Sequence, residues 1–413
     1  MKVLHYICVK LRQIDTPFLF LTLFLLAVGL LMLLSASFPS AYYETGDPYF
    51  YFKRQSCFAV IGCAIMFFLA FCNYEYLRRI AKPAMLVSII LLIAVLVPGI
   101  GVVRNNARRW ISIAGFFTFQ PSEIAKLAII VFFSASIANK KSKMQTWHDG
   151  VKPYLLILLL TSGLIVMEPH LSGAILILTI GVTLMFVGGI RLRWIVGAGI
   201  IAGAGVLLLL SGIIPYGQSR IAMWRDPFSD ASGAGYQLTQ SLITIGSGGL
   251  TGLGLGKSRQ KFLFLPEEHN DFIFAIVCEE LGLIGATLIL LLFMLLILRG
   301  FWIALRAKDR FGTFLAVGVS IHIAIQTFLN VGVVTGLLPT TGVSLPFFSY
   351  GGTALLLQMT EIGIVLTVSA TDINEETRVK HSHSKRKCKL PPLHHDNISA
   401  SHNTHLQRCT KGT

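Results

Sequence analysis

The chain has 413 residues, 54% of them hydrophobic, while Asp, Glu, Lys and Arg together make up only 13%. A soluble domain carries about 25% charged residues, so a set of soluble domains with polar skins is excluded, and so is disorder. The composition is that of a polytopic α-helical membrane protein, and a net charge of +15 beside so few charges demands an uneven distribution.

A membrane helix needs roughly 20 mostly apolar residues. Ten runs read as spans: about 18–38, 56–74, 83–102, 120–138, 153–167, 171–190, 194–214, 271–298, 311–334 and 346–368. They are continuous rather than alternating, which excludes a β-barrel. The first is longer than a typical signal-peptide core and ends at a weak cleavage-like Ser35-Ala36-Ser37, so it reads as a retained helix. The fifth is short and the eighth long, which implies tilt or burial in protein. The expected organisation is an N-terminal segment 1–17, a membrane domain 18–368 with a large loop 215–270, and a tail 369–413.

With a cytoplasmic N-terminus, the cytoplasmic segments hold 24 of the 35 Lys and Arg, the external segments hold 10, and Lys126 lies within a span. That asymmetry follows the positive-inside rule and puts both termini in the cytoplasm. The tail carries Lys385-Arg386-Lys387 and six of the eleven histidines. It reads as a disordered segment drawn to anionic lipid, with metal binding through His381, His383, His394 and His395 as the sharper alternative. The seven cysteines form no CxxC pair, which argues for packing residues over a disulfide framework or a zinc site.

Charges inside spans are costly and mark function more often than not. Glu123 and Lys126 stand three apart, share a helix face and can pair. Glu279 and Glu280 are adjacent, point about 100° apart, and so cannot both face one cavity directly. Glu361 must face inward to stay charged. A proton-coupled transporter would use such carboxylates as a relay.

Two external segments are long, 103–119 and 215–270, and long loops in compact proteins are often functional. The second is rich in Gly and in cations, Arg220, Arg225, Lys257, Arg259 and Lys261, a combination that suits phosphate. Gly256-Lys257-Ser258 imitates the end of a P-loop, but Thr251 stands where its first Gly is needed and no strand precedes it, which excludes an ATP site. The loop ends at Asp271, and three readings stand there. It is an N-cap for the eighth helix, a partner for the loop's cations, or a general base made less acidic at a membrane boundary.

Several blocks carry a family resemblance. They include Gly29 with Ser35-Ala36-Ser37, Ala107-Arg108-Arg109-Trp110-Ile111, Gln120-Pro121-Ser122-Glu123, Trp224-Arg225-Asp226-Pro227-Phe228 and Gly246-Ser247-Gly248-Gly249. Others are Leu265-Pro266-Glu267, His269-Asn270-Asp271-Phe272, Asn330-Val331-Gly332 and Leu345-Pro346-Phe347-Phe348-Ser349-Tyr350-Gly351-Gly352. From about residue 15 to 368 the chain resembles the SEDS family (shape, elongation, division and sporulation) of bacterial membrane glycosyltransferases. The block at 339–348 is closer to the division and sporulation branch, FtsW and stage V sporulation protein E, than to RodA. One departure is Glu168-Pro169-His170-Leu171, where many members carry Gln-Pro-Asp-Leu.

The resemblance implies an all-α SEDS fold that polymerises lipid II at the outer face of the bacterial cytoplasmic membrane, at the division septum or during sporulation. It makes Asp271 the catalytic base. Arg109, Arg220, Arg225, Lys257 and Lys261 become candidates to hold the diphosphate, with Glu267 and His269 as further substrate-binding candidates. Glu123, Lys126 and Glu280 would support the cavity, and Pro346, Gly351 and Gly352 would break the chain above it. A divalent cation (Mg2+ or Mn2+) would share the diphosphate charge, although no ligand cluster in the sequence requires a metal. The implied partners are lipid II, a class B penicillin-binding transpeptidase as a separate chain, and other division proteins; no nucleic acid is involved. The competing readings are a lipid II flippase, which needs a two-sided bilayer where a polymerase works in detergent, and a non-catalytic scaffold indifferent to Asp271.

Overall fold

A computed structural model describes residues 14–104, 107–113, 117–194, 196–197, 199–200, 223–233 and 235–387. The chain divides into two units, Met1–Asp372 and Ile373–Thr413, the first of which holds the membrane domain. It begins with α1 (Thr16–Thr45), α2 (Phe50–Phe71) and α3 (Glu75–Leu96). A small antiparallel sheet follows, β1 (Gly101–Arg104), β2 (Ala107–Ile113) and β3 (Phe117–Phe119), in that spatial order. Then come α4 (Pro121–Ala138), α5 (Lys152–Met167), α6 (Leu171–Val187), α7 (Tyr236–Gly248), α8 (Ile273–Arg306), α9 (Arg310–Val334) and α10 (Gly352–Lys387).

Eight described helices are long and apolar enough to cross a membrane, and α6 is apolar but only 17 residues long. The span expected at 194–214 lies mostly outside the described residues. The expected span 271–298 begins instead at Ile273, which leaves Asp271 outside the helix. The sheet was not foreseen. Its pairs Gly101↔Ile111, Val102↔Trp110 and Ile111↔Phe119 fold the segment after α3 into a hairpin and a third strand.

Local rules set the helix ends. Asp15 accepts from Phe18 N at 3.0 Å and Pro17 sits in the first turn of α1, which suits an N-terminus whose amides lack helical partners. Gly46, at φ 76°, closes the same helix. Packing then sorts helices that are apolar all round. In α4, 78% of the apolar window is buried within the protein, against 28% in α2 and in α3. So α4 runs through the core, while α2 and α3 present most of their surface to lipid. Residues of the connections 97–120, 168–170 and 335–351 meet in one cavity with those just ahead of α8.

The longest span is interrupted. Inside α8, Gly282 has φ 68° and ψ −173°, which ends one helical stretch and starts another. In lipid, each backbone group freed by such a break must find a partner. The segment after α7 supplies them: Leu253 N donates to Glu279 O at 2.9 Å and Gly254 N to Glu280 O at 3.0 Å. In return Leu283 N donates to Gly249 O at 2.9 Å and Ile284 N to Leu250 O at 3.2 Å. The two backbones touch, since a Cβ on Gly282 would lie 2.3 Å from Gly252 N.

The side chains at the break hold the following turn. Glu279 accepts from Arg259 N at 3.0 Å and from the Ser258 hydroxyl. Glu280 accepts from Lys261 Nζ at 3.1 Å and from Ser35 Oγ of α1 at 2.6 Å. Adjacent carboxylates thus serve one turn from two directions, because the chain wraps around them rather than lining a cavity.

Two outcomes follow. Gly282→Val should lower stability by at least about 2 kcal/mol, from a left-handed backbone position plus backbone overlap, read as thermal melting of the purified protein in detergent. Glu280→Gln leaves Lys261, 4% exposed, without its counter-charge and should cost roughly 3–5 kcal/mol. Adding Lys261→Met should recover most of that loss in the same measurement.

Candidate active site

A cavity of about 520 Å³ lies where the connections gather. Its lining includes Arg109 and Trp110 from β2, Glu123 and Lys126 from α4, His170, then Glu267, Asn270 and Asp271 ahead of α8. Arg54 of α2, Gln326 of α9 and residues 342–345 and 349–355 complete most of the wall.

Asp271 is not a helix cap. The N-cap of α8 is Phe272, and no side chain caps that end. The Asp271 carboxylate instead points over Gly342, where an added Cβ would sit 3.0 Å from its Oδ2 and 4.0 Å from Arg109 Nη1. Glycine at 342 therefore leaves a space that the carboxylate and the guanidinium share. The backbone around Asp271 is held from outside: Asn330 Nδ2 donates to Asp271 O and to Val343 O, both at 2.7 Å. Ser349 Oγ donates to Asn270 O at 2.6 Å and Tyr350 N to His269 O at 2.9 Å. Loss of solvent pushes the Asp271 carboxyl up, the negative charge of Glu267 adds to the rise, and Arg109 and His269 pull against it, leaving it at about 7. Such a group is poised to take a proton near neutrality.

Strand alternation separates two neighbouring arginines. Arg108 Nη1 turns back to Leu96 O at the end of α3, 3.1 Å away. Arg109 reaches across to the α5–α6 turn, with Nε donating to Glu168 O at 3.1 Å and Nη2 to Pro169 O. The Glu168 carboxyl is buried without a hydrogen-bond partner among the described residues. Burial drives it up to about 8 against the pull of Arg109. His170 is driven down to about 3, first by burial and then by Arg109, and its Nδ1 meets Gln120 Nε2 at 3.1 Å. Both groups are thus neutral near pH 7, and the turn that holds Arg109 does not cancel its charge.

The deep wall is a polar chain. Lys126 pairs with Glu123 at 2.8 Å, as their spacing predicts, and lies 3.5 Å from Gln326 Oε1. Gln326 Nε2 continues to Ser344 O at 3.0 Å. Further into the bundle, Glu361 is buried, and His322 Nδ1 meets it at 2.8 Å. The sequence placed Glu361 inward, but its partner His322 has no charge pattern to announce it.

The other candidates are scattered. Gly351 and Gly352 line the cavity beside the start of α10, while Pro346 sits buried in the turn ahead of it. Lys261 and Glu280 are engaged with each other below the cavity. Lys257 and Arg225 are exposed and lie outside the lining. His269 stacks on Tyr51 with ring centroids 4.5 Å apart. Arg220 falls outside the described residues. Among the described residues no cluster of three His, Cys, Asp or Glu is arranged to hold a metal ion; Asp271 and Glu267 alone do not make a protein-held site. Arg54, Asn270 and the glutamines 120, 237, 326 and 358 also line the cavity. Gln120 and Asn270 stand in the family blocks, the other amides carry no pattern of charge or period that a reading of the sequence can use, and Arg54 reads there as an ordinary loop cation.

The geometry agrees with what the chain resembles. Stage V sporulation protein E of Bacillus subtilis is 45% identical over 356 residues, covering 86% of this chain and 96% of that protein. The probable peptidoglycan glycosyltransferase FtsW of Geobacter metallireducens is 38% identical over 360 residues, covering 87% and 96%. A chain from a peptidoglycan synthase complex, solved to describe the coordination of polymerization and crosslinking, superposes with a TM-score of 0.73 at 28% identity, covering 87% of this chain and 98% of that one. The rod shape determining protein RodA of Thermus thermophilus gives a TM-score of 0.64 at 28% identity, with the same coverage. The FtsW/RodA/SpoVE family model, described as cell cycle protein, matches residues 16–374, and the chain belongs to that family.

Proposed function

We propose that this protein is a peptidoglycan glycosyltransferase that polymerises lipid II, with Asp271 as its general base. The observation that carries this reading is the Asp271 carboxyl, held near 7 beside Arg109 in a polar cavity among membrane helices. A relative named probable peptidoglycan glycosyltransferase FtsW supports the same activity. The acceptor GlcNAc 4-hydroxyl loses its proton to Asp271 as its oxygen attacks the anomeric carbon of the donor MurNAc. Undecaprenyl diphosphate leaves from the opposite face, so an α-linked donor gives a β-1,4 bond. Arg109 offsets the charge that develops on the departing diphosphate, and Glu123, Lys126 and Gln326 hold the deep wall in place.

The basic residues mark the cytoplasmic side, with both termini there. That orientation sets the cavity at the outer face of the cytoplasmic membrane, where the sugars of a lipid-linked substrate lie. The synthase complex among the structural relatives supports a class B penicillin-binding transpeptidase as partner, with work at the septum or in sporulation. The basic segment 369–413 serves as a cytoplasmic tail. The cavity residues belong to one end of the bundle, which favours chemistry there over a flippase path, and a built carboxylate site does not suit a scaffold.

Asp271→Asn should reduce glycan polymer made from lipid II in detergent by roughly 10²–10⁴-fold, with melting unchanged. Wild-type polymer from that variant, assayed with its transpeptidase, would refute the assignment. The base is active when deprotonated, so the wild-type rate should rise with pH through about 7. Glu267 raises the Asp271 carboxyl, so Glu267→Gln should move that rise to lower pH, as read from single-turnover rates across pH 5 to 9 on the usual carboxylate and histidine range.

A further inference from the structure

α2 faces lipid over most of its surface, and its buried residues form one stripe: Tyr51, Gln55, Ala59, Gly62, Met66 and Ala70. Steps of three and four keep that stripe on a single helix face. From Phe58 onward the helix lies flush on α10. A Cβ on Gly352 would sit 2.3 Å from the Phe58 ring, one on Gly62 2.9 Å from Met359 Cγ, and one on Gly363 2.8 Å from Met66 O. Contact this close leaves α2 little room to slide or roll on α10.

Tyr51 and Gln55, the polar members of the stripe, stand one turn apart at the start of the helix. Gln55 is 1% exposed. Its Nε2 donates to Ser349 O at 3.1 Å, and its Oε1 accepts from Gly351 N at 3.2 Å. One amide therefore satisfies two backbone groups of the turn ahead of α10. Within that turn Ser349 Oγ accepts from Leu345 N at 2.7 Å and donates to Asn270 O, the carbonyl next to Asp271. Tyr51 acts on the same segment one residue earlier. Its ring stacks on His269 and meets Tyr350 edge-on, with centroids 4.8 Å apart, while its hydroxyl donates to Glu44 of α1. Neither Tyr51 nor Gln55 lines the cavity, so any effect they have on the reaction is indirect.

We infer that Tyr51 and Gln55 are positioning residues for Asp271: α2, fixed against α10, holds the backbone at 269–270 and so sets where the carboxylate stands over Gly342 and how far water reaches it. This deepens the glycosyltransferase reading and rests on Asp271 as its base. A buried backbone group that loses its partner must find another or admit water. Removing the Gln55 amide loosens the turn at 349–351 and, through Ser349, the carbonyl beside the base. The charged groups around Asp271 are Glu267 and His269 of its own segment and Arg109 of β2, with Arg54 of α2 and Glu123 and Lys126 of α4 on the same cavity wall. Substitution at Gln55 alters none of them. Loss of solvent is the first cause that holds the Asp271 carboxyl at about 7. A carboxylate freed to meet water returns toward the ordinary range, and the rise of rate with pH then moves to lower pH.

The test is lipid II polymerisation by the full-length protein in detergent with its transpeptidase. The variants are Gln55→Met, Tyr51→Leu, Tyr51→Phe, Ser349→Ala, Gln55→Met combined with Ser349→Ala, and Asp271→Asn. Phe68→Leu, at a position 67% exposed on the lipid face of α2, is the control and should behave as wild type. Gln55→Met lacks the amide and should lower kcat roughly 10- to 100-fold while KM stays within about twofold. Its rate should also rise at lower pH than that of the wild type. Tyr51→Phe keeps the ring and should lose less than Tyr51→Leu. Combining Gln55→Met with Ser349→Ala should lose no more than the worse single change, as expected of one connected path. Wild-type kcat in both Gln55→Met and Tyr51→Leu overturns the proposal. So does a loss of rate that tracks lowered melting while the pH profile stays in place, and so do additive losses in the combined variant. If Gln55→Met does not fold, Tyr51→Leu and Tyr51→Phe are read by the same criteria. Polymer from Asp271→Asn would refute the base itself, whereas an inactive Asp271→Asn beside a wild-type Gln55→Met leaves the base in place and removes only its brace.

Discussion

The constraint on which this structure depends is that a backbone group freed inside a bilayer must be paired by protein. α8 breaks at Gly282, and the chain from Gly249 to Gly254 pairs with both sides of the break. A single exchange of hydrogen bonds therefore ties the segment after α7 to the start of α8. Glu279 and Glu280 extend the tie to the turn at Ser258–Lys261, and Ser35 extends it to α1. The chain that carries Glu267 and Asp271 then spans only the short distance between this anchor and the first turn of α8. Its far end is held separately, by Asn330 and Ser349.

Rigid support of this kind gives the carboxylate its chemistry. A mobile Asp271 would take up solvent and an ordinary acidity. Fixed over Gly342, with Glu267 nearby, it stays protonated into the neutral range. The same economy governs Arg109. Its guanidinium is held by backbone carbonyls, and its neighbours Glu168 and His170 are neutral near pH 7. His170, the departure from the family pattern, takes part as an uncharged partner of Gln120.

Much of the fold was legible because lipid imposes long apolar runs, and nine of the ten expected runs coincide with described helices. The sheet at 101–119 was not, since strands that short leave a weak alternation beside stronger membrane signals. Among site residues, Asp271, Glu267, Arg109, Glu123 and Lys126 do meet in one cavity. Lys261, Glu280 and Lys257 share the same loop or helix yet lie elsewhere, because composition reports that a segment is basic and not which way each side chain turns. Gln326 and Arg54 carried no local signal and Asn330 was legible only as part of a family block; their places depend on helices distant in the chain.

The amino-acid sequence by itself determined the membrane class, the spans, the asymmetry of charge and the family, because each is written in composition and in ordered motifs that need no partner. Only the tertiary structure decided that Asp271 faces a cavity instead of capping α8. It likewise decided that two adjacent glutamates clamp a turn and that Arg54 lines the cavity. Those outcomes depend on which side chains meet when separate helices and loops pack together, and position along the chain does not encode that meeting.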